Sequence, residues 1–205
     1  IVNSLNIGAE AYAEMGLSLV GIDCDLGEAS VQIASDSYSI GELATRRLID
    51  DGCSRILCLR NNSRMRMPAN KRTDAYYDVV EQAGLPALVR EVEFVKSDDE
   101  KSAVVAKILD ENPDIDGIFA GDDTMAAICL NVMKQRGLSA PDDIKVVGAD
   151  GARRTMTFMP DLTTVRQDID RIGELAAQSI IALVNGEKPE SNIKLPVELI
   201  EGKTA

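Results

Sequence analysis

Two hydrophobic patterns alternate along the chain: short apolar runs, and longer segments whose apolar residues recur at helical spacing. Several of the short runs are continuously apolar, as expected for parallel strands that are buried on both faces. We predict strands at residues 19–22, 31–34, 55–59, 92–95, 117–120, 145–147, 164–166 and 194–199. The alternation predicts an α/β fold in which helices cover both faces of parallel sheets.

The longer segments end at residues that commonly terminate helices. Glycine, which adopts the left-handed conformation without a steric penalty, follows four of them, and an Asn-Pro pair follows the fifth. We predict helices at about residues 40–51, 71–83, 99–111, 124–136 and 169–185, and a short helical stretch at about 9–15. Their apolar stripes are expected to face the core rather than a cofactor.

Composition narrows the class of protein. The chain has 205 residues, 45% of them apolar, which suffices for one domain or two small lobes with a buried core. Its formal net charge of -12 predicts repulsion from phosphate backbones and from anionic membrane surfaces. Any contact with nucleic acid would therefore need a part of the protein outside this sequence.

The cysteine pattern argues against a metal site. The four cysteines form no CxxC pair, and the sequence has no histidine to complete a mixed zinc site. We expect reduced, buried thiols, no metal and no cofactor. No apolar run approaches the ~20 residues of a membrane span. The first residues do not resemble a secretion signal, so we expect a cytoplasmic location unless a signal peptide has been removed.

Acidic residues follow several predicted strands, which is where ligands bind in open parallel sheets. These residues are Asp23 with Asp25, Asp36, Asp122 with Asp123, and Asp150. Asp36 and Asp123 could instead cap the helices that follow them. Asp150 has no obvious helix to cap, and the adjacent Gly151 would allow a ligand or the backbone to approach closely.

These residue types favour recognition of hydroxyl groups. An ionised carboxylate accepts two hydroxyl hydrogens at once, and Arg72 could donate a fork of hydrogen bonds to the same polyol. Gln167, which follows another predicted strand, can both donate and accept. The residues alone leave open that Arg72 and Gln167 are solvent-exposed side chains at the starts of helices.

Motifs of catalysis are missing from the sequence. It contains no GxSxG, no P-loop and no GxGxxG, and it lacks histidine, the most frequent general base. Asp122 and Asp123 could hold Mg²⁺ in a phosphotransfer site, but two adjacent acids after a strand are a weak signal. We therefore predict no catalytic residue and a protein that is not an enzyme.

Six segments together carry a pattern typical of one protein family. They lie at residues 36–56, 71–76, 117–126, 141–150, 160–167 and 195–200. The strongest is Pro-Asp-Asp-Ile-Lys-Val-Val-Gly-Ala-Asp at 141–150, followed by Pro-Asp-Leu-Thr-Thr-Val-Arg-Gln at 160–167. In this order and spacing, the chain from Asp36 onward resembles the effector-binding core of the lactose-repressor (LacI/GalR) family.

The resemblance implies a two-lobed, periplasmic-binding-protein-like (type I) fold with an effector in the cleft between the lobes. It places residues 1–35 and 165–190 in an incomplete N-terminal lobe, and residues 36–164 and 191–205 in the C-terminal lobe. The positions that match effector-contacting residues of the family are Arg72, Asp122, Asp150 and Gln167, with Asp23 as a less direct match.

Three departures from the family pattern leave the identity of the effector open. The family's Asn-Asp pair reads Asp122-Asp123 here, the aromatic residue of the strongest segment is Ala149, and a Gly-aromatic pair is replaced by Ala75-Tyr76. A missing ring at Ala149 would alter packing around the cleft.

The function that the resemblance implies is sensing of a small molecule, a sugar or related metabolite, for a DNA-binding transcriptional regulator. It also implies a homodimer whose operator contacts are made by a helix-turn-helix headpiece. We expect that headpiece and the first strands of the N-terminal lobe to lie outside this chain. The alternatives are a periplasmic sugar-binding protein of a transporter, and a hydrolase or phosphotransferase that uses Asp122 or Asp150.

Overall fold

The computed structural model describes residues 15–24, 26, 30–62, 68–93 and 96–205. The strands are β1 (Val20–Ile22), β2 (Val31–Ser35), β3 (Ile56–Asn62), β4 (Leu88–Glu93), β5 (Gly117–Ala120), β6 (Lys145–Asp150), β7 (Thr163–Gln167), β8 (Asn192–Leu195) and β9 (Val197–Ile200). The helices are α1 (Ser37–Asp50), α2 (Lys71–Gln82), α3 (Asp98–Glu111), α4 (Asp123–Gln135), α5 (Arg153–Phe158) and α6 (Ile169–Val184), with a 3₁₀ turn at Pro68–Asn70.

Unit 1 is built on a small parallel sheet. It comprises the described residues of 15–37, together with 68–70 and 167–197. Its three strands lie in the order β1-β2-β8, and every pair is parallel. Helix α6 packs on β1 and β2, where Ile172 meets the buried side chains Val31 and Ile33. The apolar stripe of α6 therefore faces a core, as its helical spacing predicts.

Unit 2 holds the larger core. It comprises the described residues of 38–63, 71–166 and 198–205. Six strands lie in the order β4-β3-β5-β6-β7-β9, and the pairs from β4 to β7 are parallel. Helices α3 and α4 pack against each other and on this sheet. Because β3, β5 and β6 are neighbours and parallel, their carboxyl ends share one edge.

The predicted α/β fold with parallel sheets is confirmed, and the main differences lie in elements with weak apolar patterns. Strand β4 spans Leu88–Glu93, earlier than the predicted 92–95, whose last two residues lie outside the described residues. It is an edge strand whose exposed Arg90 and Glu91 interrupt the apolar run. Helix α5 was not predicted, because its six residues include none that is buried.

The boundary between the units differs from the predicted one near the C-terminus. Residues 191–197 belong to unit 1, not to the C-terminal lobe, because β8 pairs with β2, with Ile193 opposite Ile33. The strand predicted at 194–199 is interrupted at Pro196, which has no amide hydrogen to continue a ladder. Of the helix predicted at 9–15, residues 9–14 lie outside the described residues and Met15 is in a turn.

Two glycines within helices differ sharply in the space around them. A Cβ at Gly41 of α1 would lie 2.7 Å from the carbonyl carbon of Arg72, so the first turn of α2 can approach α1 only at a glycine. A Cβ at Gly173 of α6 would meet no atom within 4 Å. Close packing therefore requires a glycine at Gly41, whereas the space around Gly173 would accommodate a larger residue.

Gly41→Ala is predicted to lower the free energy of unfolding by about 1–3 kcal/mol, because the added methyl group overlaps backbone atoms of α2. Gly173→Ala, the matched control, is predicted to raise it by about 0.5–1 kcal/mol, because alanine favours the helix. Urea unfolding monitored by circular dichroism measures both changes. Equal effects of the two substitutions would contradict this packing.

Tyr76 is a fully buried side chain with a structural hydrogen-bond role. Its hydroxyl donates to the carbonyl of Ile56 at 2.8 Å and accepts from the amide of Leu88 at 2.8 Å. Burial raises the pKa of Tyr76 to about 12, so the phenol stays protonated. The hydroxyl thus satisfies backbone groups of β3 and β4.

Tyr76→Phe is predicted to destabilise the chain by about 1–3 kcal/mol, because two buried backbone groups lose their partner. Tyr77→Phe changes a neighbouring ring that is 47% exposed and is predicted to have little effect. Thermal melting of the two variants gives the comparison. A Tyr76→Phe variant as stable as the wild type would contradict the role assigned to this hydroxyl.

Candidate functional site

Arg72 is a buried cation at the start of α2. Only 8% of the residue is exposed. Its Nη2 donates to Oδ1 of Asp150 at 2.9 Å, and its Nη1 donates to the carbonyl oxygen of Gly121. The guanidinium therefore links Asp150, which ends β6, to Gly121, which follows β5. Such a buried charge persists only where it is paired and hydrogen-bonded.

Asp150 and Gly151 form an unusual turn at the end of β6. Asp150 has a φ of 109° and Gly151 a φ of 58°, in the region that favours glycine. A Cβ at Gly151 would lie 2.6 Å from the Cβ of Arg166, which excludes other residues there. The side chain of Asp150 is 32% exposed, so the turn presents a carboxylate that pairs with Arg72 and is also accessible. Strain of this kind concentrates at functional sites.

Asp122 is the N-cap of α4, which corrects the capping role considered for Asp123. Its Oδ1 accepts from the amide of Met125 at 2.7 Å, and its Oδ2 accepts from Nδ2 of Asn61. The helix begins at Asp123, one residue before the predicted start, so the cap falls on Asp122. The cap fixes this carboxylate at the edge where β3 and β5 end.

Asp123, one of the acids singled out after the predicted strands but not included among the predicted ligand-binding residues, lies in the core of unit 2. It is 3% exposed, and it accepts from the hydroxyl of Thr164 at 2.6 Å and from the amide of Gly151 at 2.8 Å. Burial raises the pKa of Asp123 to about 6, with a further rise from the charge of Asp150. The hydrogen bonds to Thr164 and Gly151 oppose that rise.

Asn61 is a residue that the sequence reasoning missed. It lies near the end of β3 and donates to Asp122, while its Oδ1 and the Nε of Arg72 are buried without a hydrogen-bond partner among the described residues. The signal was present, because Asn61 follows a buried apolar run as the singled-out acids do.

The remaining predicted residues belong to unit 1. Asp23 follows β1 with a φ of 48°, and its Oδ1 accepts from the amide of Ser35 at 3.3 Å. Gln167 is the last residue of β7. Asp36 forms an ion pair with Lys194 at 2.9 Å. The structure therefore brings Arg72, Asp122 and Asp150 together within unit 2, and leaves the roles of Asp23 and Gln167 as predictions.

The charges of this edge suit a neutral, hydroxyl-rich ligand. The cation Arg72 is already paired with Asp150, and the acid Asp122 directly follows Gly121, whose carbonyl Arg72 contacts. An additional anion would meet a net negative surrounding, whereas hydroxyl groups both donate to carboxylates and accept from the guanidinium. The described residues contain no group of three His, Cys, Asp or Glu side chains that could hold a metal ion.

The cysteines are buried and free of disulfides, as predicted. Burial raises the pKa of Cys53 to about 11 and the pKa values of Cys58 and Cys129 to about 12, so these thiols are protonated at neutral pH. None of the helices that the structure describes combines the length and the apolar composition that a bilayer crossing requires.

Comparison with known proteins places the chain in a family. Residues 45–205 match the family model described as a periplasmic binding protein-like domain. The chain is 31% identical over its full length to a sucrose operon repressor of Pediococcus pentosaceus, covering 63% of that protein. It is 30% identical to a ribose operon repressor of Halalkalibacterium halodurans, with 94% of the chain covering 58% of that protein. The chain thus spans less than two thirds of these relatives.

Solved structures agree on the fold. A transcriptional regulator CelR–cellobiose complex is 28% identical, with a TM-score of 0.84 over 94% of the chain and 60% of that structure. A periplasmic binding protein/LacI transcriptional regulator from Alkaliphilus metalliredigens superposes over the whole chain and 77% of that structure, with a TM-score of 0.87 at 24% identity. The chain belongs to the family of periplasmic binding protein-like domains, in the form found in the effector-binding core of LacI-type regulators.

Proposed function

We propose that this chain is the sugar-sensing domain of a transcriptional repressor. The observation that carries the proposal is the buried guanidinium of Arg72, paired with the partly exposed carboxylate of Asp150 at the end of a parallel strand. The relatives named above are operon repressors for sucrose and for ribose, and a related regulator has been solved with cellobiose. The paired side chains and the sugars named for these relatives both favour a sugar as the effector.

Arg72 and Asp150 are suited to bind the same sugar. A sugar hydroxyl can donate to the carboxylate and accept from the guanidinium, so adjacent hydroxyls complete a closed set of hydrogen bonds. Charge-assisted bonds of this kind are worth about 1.5–3 kcal/mol each when one partner is ionised. Asp122 contributes a further acceptor at the same edge.

The family resemblance also leads us to propose Gln167 and Asp23 as sugar-contacting residues. Gln167 can donate to and accept from a hydroxyl, and Asp23 can accept from one. Neither carries the proposal, which rests on the residues of unit 2.

Sensing requires that the ligand favour one conformation of the protein over another. We propose that the sugar does so in a cytoplasmic homodimer, and that operator DNA is contacted only through a headpiece outside this chain. The net charge of -12 supports that division, because this chain by itself would be repelled by DNA. The proposal includes no catalytic step.

The first test is isothermal calorimetry of the 205-residue chain with sucrose, D-ribose, cellobiose and lactose. Arg72→Lys and Asp150→Asn are each predicted to weaken the binding of the recognised sugar by about 10-fold to 100-fold, since lysine lacks the fork and asparagine lacks the charge. Asp74→Asn, on the exposed face of α2, is the matched control and is predicted to bind as the wild type does. Wild-type affinity in both site variants would contradict the proposal.

A second test separates sensing from catalysis. Sugar phosphates are predicted to bind at least about tenfold more weakly than the corresponding neutral sugars, because Arg72 is already paired and the surrounding residues are acidic. Binding is predicted to be the same with and without Mg²⁺, and chromatography is predicted to show no product. Product formation would overturn the proposal in favour of a hydrolase or phosphotransferase.

A further inference from the structure

Asp123 is a buried acid for which the proposed function has no use. It opens α4, yet Asp122 already caps that helix, so Asp123 is not needed for capping. An ionisable residue that is 3% exposed carries a desolvation cost. An acid at this buried position therefore indicates a role that a nonpolar residue could not perform.

The carboxylate of Asp123 joins three segments of unit 2. Its Oδ2 accepts from the amide of Gly151 at 2.8 Å, its Oδ1 accepts from Oγ1 of Thr164 at 2.6 Å, and the amide of Ala152 also donates to it. It thereby links the start of α4 to the turn after β6 and to β7. Two of its three donors are backbone amides of the turn that begins at Asp150.

Gly148, which has no side chain, leaves space for the Asp123 carboxylate. A Cβ at Gly148 of β6 would lie 2.6 Å from Oδ1 of Asp123, closer than real Cβ atoms come to other atoms. Any other residue at Gly148 would displace Asp123 from Thr164. The glycine in the strongest family-like segment is therefore explained by Asp123.

The turn that Asp123 holds is strained. Asp150 has a φ of 109°, which costs a residue with a side chain of the order of 1–3 kcal/mol unless its surroundings impose it. Asp123 accepts from the next two amides, those of Gly151 and Ala152, and so fixes the direction of the chain just after Asp150. Without these bonds the turn could relax, and the carboxylate would move away from Arg72.

We propose that Asp123 is a positioning residue of the sugar site: it touches no ligand, but holds the turn that presents the Asp150 carboxylate to Arg72 and to the sugar. This inference rests on the proposed function, because it assigns to Asp123 the geometry that binding requires.

The protonation state of the Asp123 carboxyl group determines how many hydrogen bonds it can accept. The ionised carboxylate accepts from both amides and from Thr164, whereas a protonated oxygen no longer serves an amide hydrogen equally well. Burial is the main cause of the pKa of about 6, and the charge of Asp150 on β6 raises it further. The other groups that face the Asp123 carboxyl are the neutral hydroxyl of Thr164 on β7 and the two amides of the turn. Positioning therefore weakens as the pH falls below about 6.

Affinity and stability respond to this titration with opposite signs. Since the pKa of Asp123 is higher in the folded chain than its ordinary value of 3.8, its contribution to stability is present at low pH and is lost as the pH rises toward about 6. Sugar affinity is expected to rise over the same interval, because the ionised form holds the turn. A role confined to stability would not produce this opposition.

The test measures the affinity of the 205-residue chain for the panel sugar that binds most tightly, at pH 5.0 and pH 7.5. With a pKa of about 6, the ionised fraction changes about tenfold, so wild-type affinity is predicted to be about tenfold higher at pH 7.5. Asp123→Asn is predicted to bind at least about tenfold more weakly than the wild type at pH 7.5, with no such change between the two pH values.

Asp98→Asn is the matched control, because Asp98 is likewise the first residue of a helix, α3, but is exposed. It is predicted to reproduce the wild-type affinity and pH profile. Wild-type affinity in Asp123→Asn, or equal wild-type affinities at the two pH values, would overturn the inference.

A second variant covers the case in which Asp123→Asn does not fold. Thr164→Val keeps the shape of the side chain and removes a hydrogen bond that lowers the pKa of Asp123. The midpoint of its pH-affinity profile is predicted to move to higher pH than that of the wild type. An unchanged midpoint would count against the inference.

Amide hydrogen exchange distinguishes a failure of the inference from a failure of the proposed function. A wild-type chain that binds none of the sugars at pH 7.5 would contradict the proposed function. The amides of Gly151 and Ala152 are nevertheless predicted to exchange slowly in the wild type and in Asp98→Asn, and at least about tenfold faster in Asp123→Asn. Equal exchange in all three chains would refute the link itself.

Discussion

The described site depends on one buried charge, the guanidinium of Arg72. Removing a cation from water costs several kcal/mol unless anions and carbonyls replace the water, and here Asp150 and the carbonyl of Gly121 do so. Two backbone features make that arrangement possible: Gly41 lets the first turn of α2 approach α1, and the left-handed turn at Asp150 directs its carboxylate toward Arg72. The close packing of α2 on α1 and the proposed recognition of the ligand are therefore linked through this buried guanidinium.

The constraint on this buried charge also favours a neutral ligand. Because the cation is compensated within the protein, it offers hydrogen-bond donors without an unbalanced positive charge. The acids Asp122 and Asp123 are held by helix capping and by buried hydrogen bonds, respectively, so neither needs a metal ion for stabilisation. A polyol supplies donors and acceptors in the pattern that such a site requires.

Much of this could be predicted from the sequence, because buried parallel strands and helices that end at glycine leave strong local signals. Asp122 and Asp150 could be predicted because polar residues that follow apolar strands lie where ligands bind in parallel sheets, whereas Arg72 was selected by its hydrogen-bonding fork and by the family resemblance. The burial of Asp123 could not be predicted, since a sequence does not reveal that Gly148 leaves space for a buried carboxylate. The break at Pro196 could have been predicted from proline chemistry alone.

The central claim is that Arg72 and Asp150 bind the same sugar. A crystal structure of the chain with the tightest-binding sugar of the panel tests it most directly. The account predicts hydroxyl oxygens within about 3.2 Å of both the Arg72 guanidinium and the Asp150 carboxylate. A sugar bound elsewhere on the chain, or an Arg72 side chain separated from Asp150 and directed into solvent, would contradict it.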